Sequence, residues 1–213
     1  YILKNMLPDF KGKKVLDLGC GFGWHCRYAI EHGAESVIGI DISEMMLKKA
    51  RQINNLPGIE YLQMPVEDID YHTETFDIIL SSLTFHYIVS FDEISRKVYN
   101  CLKPGGSFVF SVEHPVFTAY GNQDWYYDEN GNRLHWPVDN YFVEGKRNAI
   151  FLGENVVKYH KTLTTYLNSL LKSGFRIKEI IEPQPSIEMI ESIEGMKDEL
   201  RRPMMLIVSA IKE

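Results

Sequence analysis

The run Val15-Leu16-Asp17-Leu18-Gly19-Cys20-Gly21-Phe22-Gly23 sets a carboxylate and three glycines at the end of an apolar segment, and a second apolar segment, Val37 to Ile40, ends in Asp41. A glycine turn lets backbone approach a ligand closely, and an acid about twenty residues further on is placed to accept hydrogen bonds from a ribose diol. Together these features read as a nucleoside cofactor site. The glycines fall at Gly19, Gly21 and Gly23, which departs from the Gly-x-Gly-x-x-Gly spacing of dinucleotide sites. Asp17 argues in the same direction, because a carboxylate beside a helix N-terminus repels a pyrophosphate and favours an ammonium group. Three histidines, His86, His114 and His160, are candidates for removing a proton from an acceptor, since imidazole titrates near neutral pH. Each also has a plainer reading as a packing or hydrogen-bonding residue. Glu113 could orient a substrate amine or a base. Arg201 and Arg202 carry guanidinium forks that match a carboxylate or phosphate, the alternative being two solvated arginines that balance Asp198 and Glu199.

Such residues need a scaffold that brings strand ends to one edge. Expected strands at Lys14 to Leu18, Ser36 to Ile40, Ile59 to Met64, Phe76 to Ser81 and Ser107 to Val112 alternate with helices at Trp24 to His32, Ser43 to Asn54 and about Phe91 to Leu102. That alternation is the signature of a parallel sheet. Ser43 reads as an N-cap, and Lys103-Pro104-Gly105-Gly106 as a break in the pattern. From His114 to His160 the periodicity is lost and aromatics crowd in: Phe117, Tyr120, Trp125, Tyr126, Tyr127, Trp136, Tyr141, Phe142, Phe151 and Tyr159. Asn130-Gly131 is a hairpin signal and Gly153-Glu154-Asn155 a weaker one, so short antiparallel strands or ordered loops are expected. The segment is read either as a substrate lid or as a satellite core that shields the sheet. A helix from Thr162 to Ser173 closed by Gly174, a strand Phe175 to Ile181, a partly helical Ser186 to Leu200 and a last strand Met204 to Ala210 complete the chain.

The 213 residues suit one α/β domain carrying an insertion. A formal net charge of -6 and the lack of any Lys/Arg cluster argue against a nucleic-acid groove, which needs localised positive charge. No apolar run approaches the roughly 18 residues of a membrane span and the start lacks a signal-peptide pattern, so a cytoplasmic location with no membrane partner is expected. Cys20, Cys26 and Cys101 are odd in number and lack metal-ligand spacing, which reads as reduced thiols and no metal site.

The glycine turn, taken with Thr75-Phe76-Asp77-Ile78-Ile79-Leu80-Ser81-Ser82, Leu102-Lys103-Pro104-Gly105-Gly106 and Glu113-His114-Pro115, resembles the class I S-adenosylmethionine-dependent methyltransferases. The likeness covers essentially the whole chain and points to a bacterial, small-molecule, type 11-like branch. It implies a Rossmann-like α/β fold, with a seven-stranded sheet of order 3-2-1-4-5-7-6, strand 7 antiparallel and helices on both faces. One methyltransferase domain would span 1–213, with 114–160 as its aromatic insertion. The cofactor would be S-adenosyl-L-methionine and the product S-adenosyl-L-homocysteine, the methyl passing in line to an unidentified small-molecule acceptor.

The same resemblance distributes the residues. Asp17 would face the ammonium of the methionine portion, directly or through water, and the turn Gly19-Cys20-Gly21 would lie against the cofactor. Asp41 would hold the ribose, with Ile42 and Met46 on the adenine face, a plain core role staying open for Met46. The acid that commonly meets the adenine amine aligns with Pro65, so Glu67 or backbone near Val66 is expected to stand in. Ser81, Ser82 and Leu83 would run beside the methionine chain and sulfonium, and His86 is the first choice among the histidines because its strand end lies nearest the sulfonium. Tyr87, Glu113, Trp125 and Trp136 are assigned to the substrate. Arg201 and Arg202 join them because an antiparallel last strand begins at the edge where the parallel strands end. The chain starts at Tyr1 rather than Met, and upstream residues in the family often cover the cofactor. A nucleotide-dependent oxidoreductase and a non-catalytic S-adenosylmethionine-binding module are the competing readings, with the acceptor atom and the oligomeric state left open.

Overall fold

Strands whose residues are apolar at almost every position must be covered on both faces, and helices supply that cover here. The computed structural model describes residues 2–151 and 153–213, with the Phe151 side chain of the insertion, like Tyr1, outside the described residues. After a short helix α1 (Ile2–Met6), β1 (Lys14–Leu18), α2 (Trp24–Glu31), β2 (Ser36–Asp41), α3 (Glu44–Ile53), β3 (Ile59–Gln63), β4 (Phe76–Ser82), α4 (Phe91–Cys101) and β5 (Leu102–Glu113) follow in turn. Next come α5 (Pro115–Thr118) and two hairpins, β6 (Tyr126–Tyr127) with β7 (Arg133–His135) and β8 (Gly145–Phe151) with β9 (Glu154–His160). The chain closes with α6 (Leu163–Ser173), β10 (Phe175–Ile181), α7 (Ile187–Ser192), a 3-10 turn at Met196–Arg201 and β11 (Met205–Lys212).

The seven-stranded sheet has the order β3-β2-β1-β4-β5-β11-β10, in which β11 runs antiparallel to both neighbours and the other pairs are parallel. Counted within the sheet this is 3-2-1-4-5-7-6, the Rossmann-like methyltransferase order. Local chemistry sets the helix ends: the Ser43 hydroxyl accepts from Met46 N at the start of α3, Thr162 does the same for Thr165 N, and Gly174 closes α6 at φ 100°. One face of the sheet packs Phe85, Phe91, Phe108, Phe110, Tyr166 and Phe175 into a single aromatic core. The other face holds Val15, Cys26, Ala29, Val37, Leu47 and Leu80 under α2 and α3.

The Lys103 to Gly106 segment departs from the expected break. It belongs to β5 as a bulge: Phe76 pairs with Leu102 and Ile78 with Ser107, so four residues loop out opposite Asp77. Gly105 makes this possible at φ 76°, and the Asp77 carboxylate fills the gap by accepting from Lys14 N and Lys103 Nζ, both at 2.9 Å. In the insertion, the Asn130-Gly131 signal becomes the turn between β6 and β7, with Asp128 Oδ1 accepting from Asn130 N and Asn132 N around Gly131, while Glu154 and Asn155 of the weaker signal open β9 and pair with Phe151 and Ile150. Its aromatics divide: Trp125 is buried and Trp136 half-buried, while Phe142 is 89% exposed. No helix among the described residues is long and apolar enough to cross a membrane.

Candidate active site

At the carboxyl edge of the sheet, the glycine turn folds back on the second strand. Gly19 N and Cys20 N both donate to Ile40 O at 2.9 Å, and Gly21 N donates to Asp41 Oδ2 at 2.9 Å. Ser43 N donates to Asp41 Oδ1 at 2.8 Å, so two backbone amides aim the carboxylate while its remaining lone pairs face a cavity of about 430 Å³. Ile42, Met46, Val66 and Leu83 give that cavity apolar walls, and Glu67, Ser82 and Tyr87 also line it. A Cβ on Gly19 would lie 2.2 Å from Thr84 Oγ1, so only glycine allows the turn to close against the rim that follows β4. Apolar walls beside an aimed carboxylate fit a nucleoside, whose base needs a flat apolar slot and whose ribose needs an acceptor pair.

Of the residues expected at the cofactor, Gly19, Asp41, Ile42, Met46, Val66, Glu67 and Ser82 line this cavity. Ser81 does not; fully buried, its hydroxyl donates to Leu18 O at 2.7 Å and ties β4 to β1. Cys20 also turns inward, its sulfur and that of Cys26 both meeting the space above Gly39. Asp17 lies one layer beneath the turn rather than at its tip, only 1% exposed, with the Cys26 thiol donating to Oδ2 at 3.3 Å. Burial pushes its carboxyl up to about 7, against the Cys26 hydrogen bond and with Asp41 adding to the rise. Leu83, expected beside the methionine chain, lines the cavity too, whereas sequence reasoning did not single out Ser43, Thr84 and Ile88 as lining residues. Continuing one residue past Leu83, which holds a left-handed φ of 56°, would have found Thr84, the first of the rim.

The three histidines part company. His86 is beside the site: it packs on Tyr87 at 4.3 Å between ring centroids, its Nδ1 accepts from Glu113 N at 3.4 Å, and its Nε2 lies 4.0 Å from Glu113 Oε1. Burial lowers it to about 4, the Glu113 carboxylate opposing and Lys158 and Lys161 assisting, so the ring is neutral at physiological pH. His160 is turned away from the cavity with both nitrogens taken, Nε2 by Tyr141 O and Nδ1 by Thr118 Oγ1, each at 2.8 Å. His114 caps α5 by accepting from Val116 N at 3.0 Å, and its Nε2 sits 2.8 Å from Glu182. None of the three lines the cavity, although His86 is flanked by Tyr87, which does, and burial lowers His114 and His160 as it lowers His86.

Glu113 is the hub of a polar ring that sequence reasoning met only in part: Lys158 Nζ donates to its Oε1 at 2.6 Å and Gln123 Nε2 to its Oε2 at 2.7 Å. The arginines are occupied. Arg201 pairs with Asp198 and donates to the carbonyls of Arg133 and Leu134, and Arg202 makes a two-pronged pair with Glu199 at 2.7 and 3.1 Å. Arg202 is far from solvated, being 8% exposed with its guanidinium 4.1 Å from the Trp136 ring, 4.7 Å from Phe117 and 5.4 Å from Trp125. Trp125, Trp136 and both arginines border a separate cavity of about 280 Å³ rather than the first one.

A parallel sheet with a reversed last strand, a glycine turn docked on the second-strand acid and a nucleoside-sized cavity between them defines a methyltransferase-type Rossmann fold. Residues 16–110 match a family model described as a methyltransferase domain. A candidate S-adenosylmethionine-dependent methyltransferase of Listeria monocytogenes is 58% identical, with a TM-score of 0.95 over 100% of this chain and 95% of that one. An S-adenosylmethionine-dependent methyltransferase of Mesorhizobium loti is 43% identical, with a TM-score of 0.91 over 99% and 96% of the two chains. A ubiquinone biosynthesis O-methyltransferase of Neisseria meningitidis is 36% identical over 108 residues, 49% of this chain and 45% of its own length. The chain belongs to the class I S-adenosylmethionine-dependent methyltransferases, in the type 11-like branch.

Proposed function

We propose that this enzyme passes the methyl group of S-adenosylmethionine to a small-molecule acceptor seated between the 84–88 rim, Glu113 and the aromatic insertion. The observation that carries the reading is the Asp41 carboxylate, fixed by the Gly21 and Ser43 amides at the wall of an apolar cavity. The bound cofactor supplies a methyl group on a sulfonium, an activated carbon with a good leaving group. What remains for the protein is to bind, align and exclude water, and alignment alone is worth several kcal/mol. Asp41 takes the ribose hydroxyls, Ile42, Met46 and Val66 pack on the base, and Glu67 or the backbone beside it meets the adenine amine. Asp17, under the turn, offers its charge to the ammonium through water. His86, neutral and held by the Glu113 amide, positions the end of β5 rather than acting as a strong base. The net charge of -6 supports a small acceptor over a polyanion.

The test is calorimetry with S-adenosylhomocysteine followed by transfer of a labelled methyl to pooled small metabolites and, separately, to bulk tRNA. The expected result is cofactor binding that weakens by ten- to a hundredfold in Asp41→Ala, as loss of about 1.5–3 kcal/mol of charged hydrogen bonding requires. Label is expected in the small-molecule fraction. Label confined to tRNA would overturn the acceptor class, and unchanged affinity in Asp41→Ala would overturn the placement of the ribose.

A further inference from the structure

Gln123 stands at a left-handed φ of 51°, a conformation that a side chain other than glycine adopts only when its surroundings hold it. What holds it is the polar ring. Its amide oxygen accepts from Lys158 Nζ at 2.7 Å, its amide nitrogen donates to Glu113 Oε2 at 2.7 Å, and Lys158 closes the ring onto Glu113 Oε1 at 2.6 Å. The amide has one possible orientation, because the reverse would set its nitrogen against an ammonium and its oxygen against a carboxylate. Lys158 is 1% exposed, whereas Glu113 and Gln123 are half-buried, so the ring is open to solvent on their side. The ring neighbours the 430 Å³ cavity: Lys158 Nζ lies 5.9 Å from the centroid of Tyr87, which lines that cavity, and the Glu113 amide donates to His86 next door.

A carboxylate and an ammonium side by side read a definite chemistry. An anionic ligand there would meet Glu113, and a cationic one would meet Lys158. A neutral group with a donor beside an acceptor satisfies both, and the side-chain amide of Gln123 is such a group. We propose that Glu113 and Lys158 are the recognition pair for the acceptor, that the acceptor carries a carboxamide-type edge (a primary amide or a lactam), and that Gln123 occupies the pair as an internal stand-in until substrate displaces it. This rests on the reading of the adjoining cavity as the cofactor site. Gln123 belongs to the loop before β6, so its departure swings the front of the insertion, Trp125 included, without breaking the Glu113–Lys158 ion pair.

The probes are benzamide, benzoate and benzylamine, titrated by calorimetry into protein saturated with S-adenosylhomocysteine. The variants are Gln123→Gly, in which glycine accepts the left-handed φ at no steric cost, and Gln123→Asn, whose amide is one methylene too short to close the ring. Both are expected to bind benzamide at least tenfold more tightly than the unaltered protein does, and at least tenfold more tightly than they bind benzoate or benzylamine. A smaller gain in both variants, or equal affinity for the three probes, overturns the proposal. Failure of the unaltered protein to take up S-adenosylhomocysteine would instead sink the cofactor reading, so the two failures are told apart in one series.

Discussion

Replacing Asp17 by asparagine is expected to stabilise the ligand-free protein while weakening its hold on the cofactor. The side chain is 1% exposed and its carboxyl is pushed from 3.8 up to about 7, chiefly by desolvation. A folded-state value above the unfolded one means that the folded chain binds more protons between pH 3.8 and about 7, so stability falls as pH rises through that window and levels off above it. At 1.36 kcal/mol per unit, the full effect is about 4 kcal/mol at pH 8, a sum that asparagine, which carries no charge, does not lose. The introduced amide oxygen can still accept from the Cys26 thiol, so no hydrogen bond need be given up. Urea melts of both ligand-free proteins at intervals from pH 4 to pH 9 should show the curves meeting near pH 4 and diverging by up to about 4 kcal/mol above pH 7, on the order of 10 °C in Tm. In the same variant, affinity for S-adenosylhomocysteine should drop at least tenfold, since the ammonium loses its countercharge. A variant less stable than the parent at pH 8, or one whose stability tracks the parent's at every pH, would refute the argument that burial of this carboxyl is uncompensated without the cofactor.

Two further expectations concern the turn and its rim. Gly39→Ala would set a Cβ 2.7 Å from Cys26 Sγ and 3.0 Å from Cys20 Sγ, overpacking the floor of the glycine turn; a loss of about 1–3 kcal/mol in chemical denaturation and weaker cofactor binding are expected. Lys161→Met would strip the carbonyls of Phe85, Ile88 and Tyr159 of a buried donor that reaches them at 3.2, 2.6 and 3.2 Å. Because burial lowers Lys161 to about 8, the parent should gain stability as pH rises from 8 toward 10.5 and the variant should not, which melts across that range will show.

The scaffold was legible because its signals are local. Alternating apolar runs, the Ser43 and Thr162 caps and the Gly174 terminator each speak within a few residues, and the sheet order followed from the family likeness. Asp41 was legible for the same reason, being at a fixed distance from the glycines. The polar ring was not, since Glu113, Gln123 and Lys158 come from separate segments as much as 45 residues apart, and a lysine reads as surface unless its neighbours are known. One clue was present: in Glu154–His160 a period of two puts Lys158 on the same face as Val156 and His160, the inward face of β9. The Lys103 to Gly106 bulge was missed because Pro and Gly mark a chain reversal and a strand irregularity alike. The histidines were ranked by proximity alone, and what separates His160 from His86 is which partners claim the ring nitrogens, a property of the folded chain.

The rim after β4 and the insertion are stitched at several points: Tyr159 N donates to His86 O at 2.8 Å, and Lys161 bridges the same two segments. Tyr87 and Ile88, at the middle of that seam, also form part of the wall of the 430 Å³ cavity. With the donor and acceptor seated as proposed, both would lean on this common partition, and a shift on one side would be carried to the other. Thermodynamic reciprocity then demands that whatever factor the first ligand imposes on the second be returned in equal measure, whichever of the two arrives first.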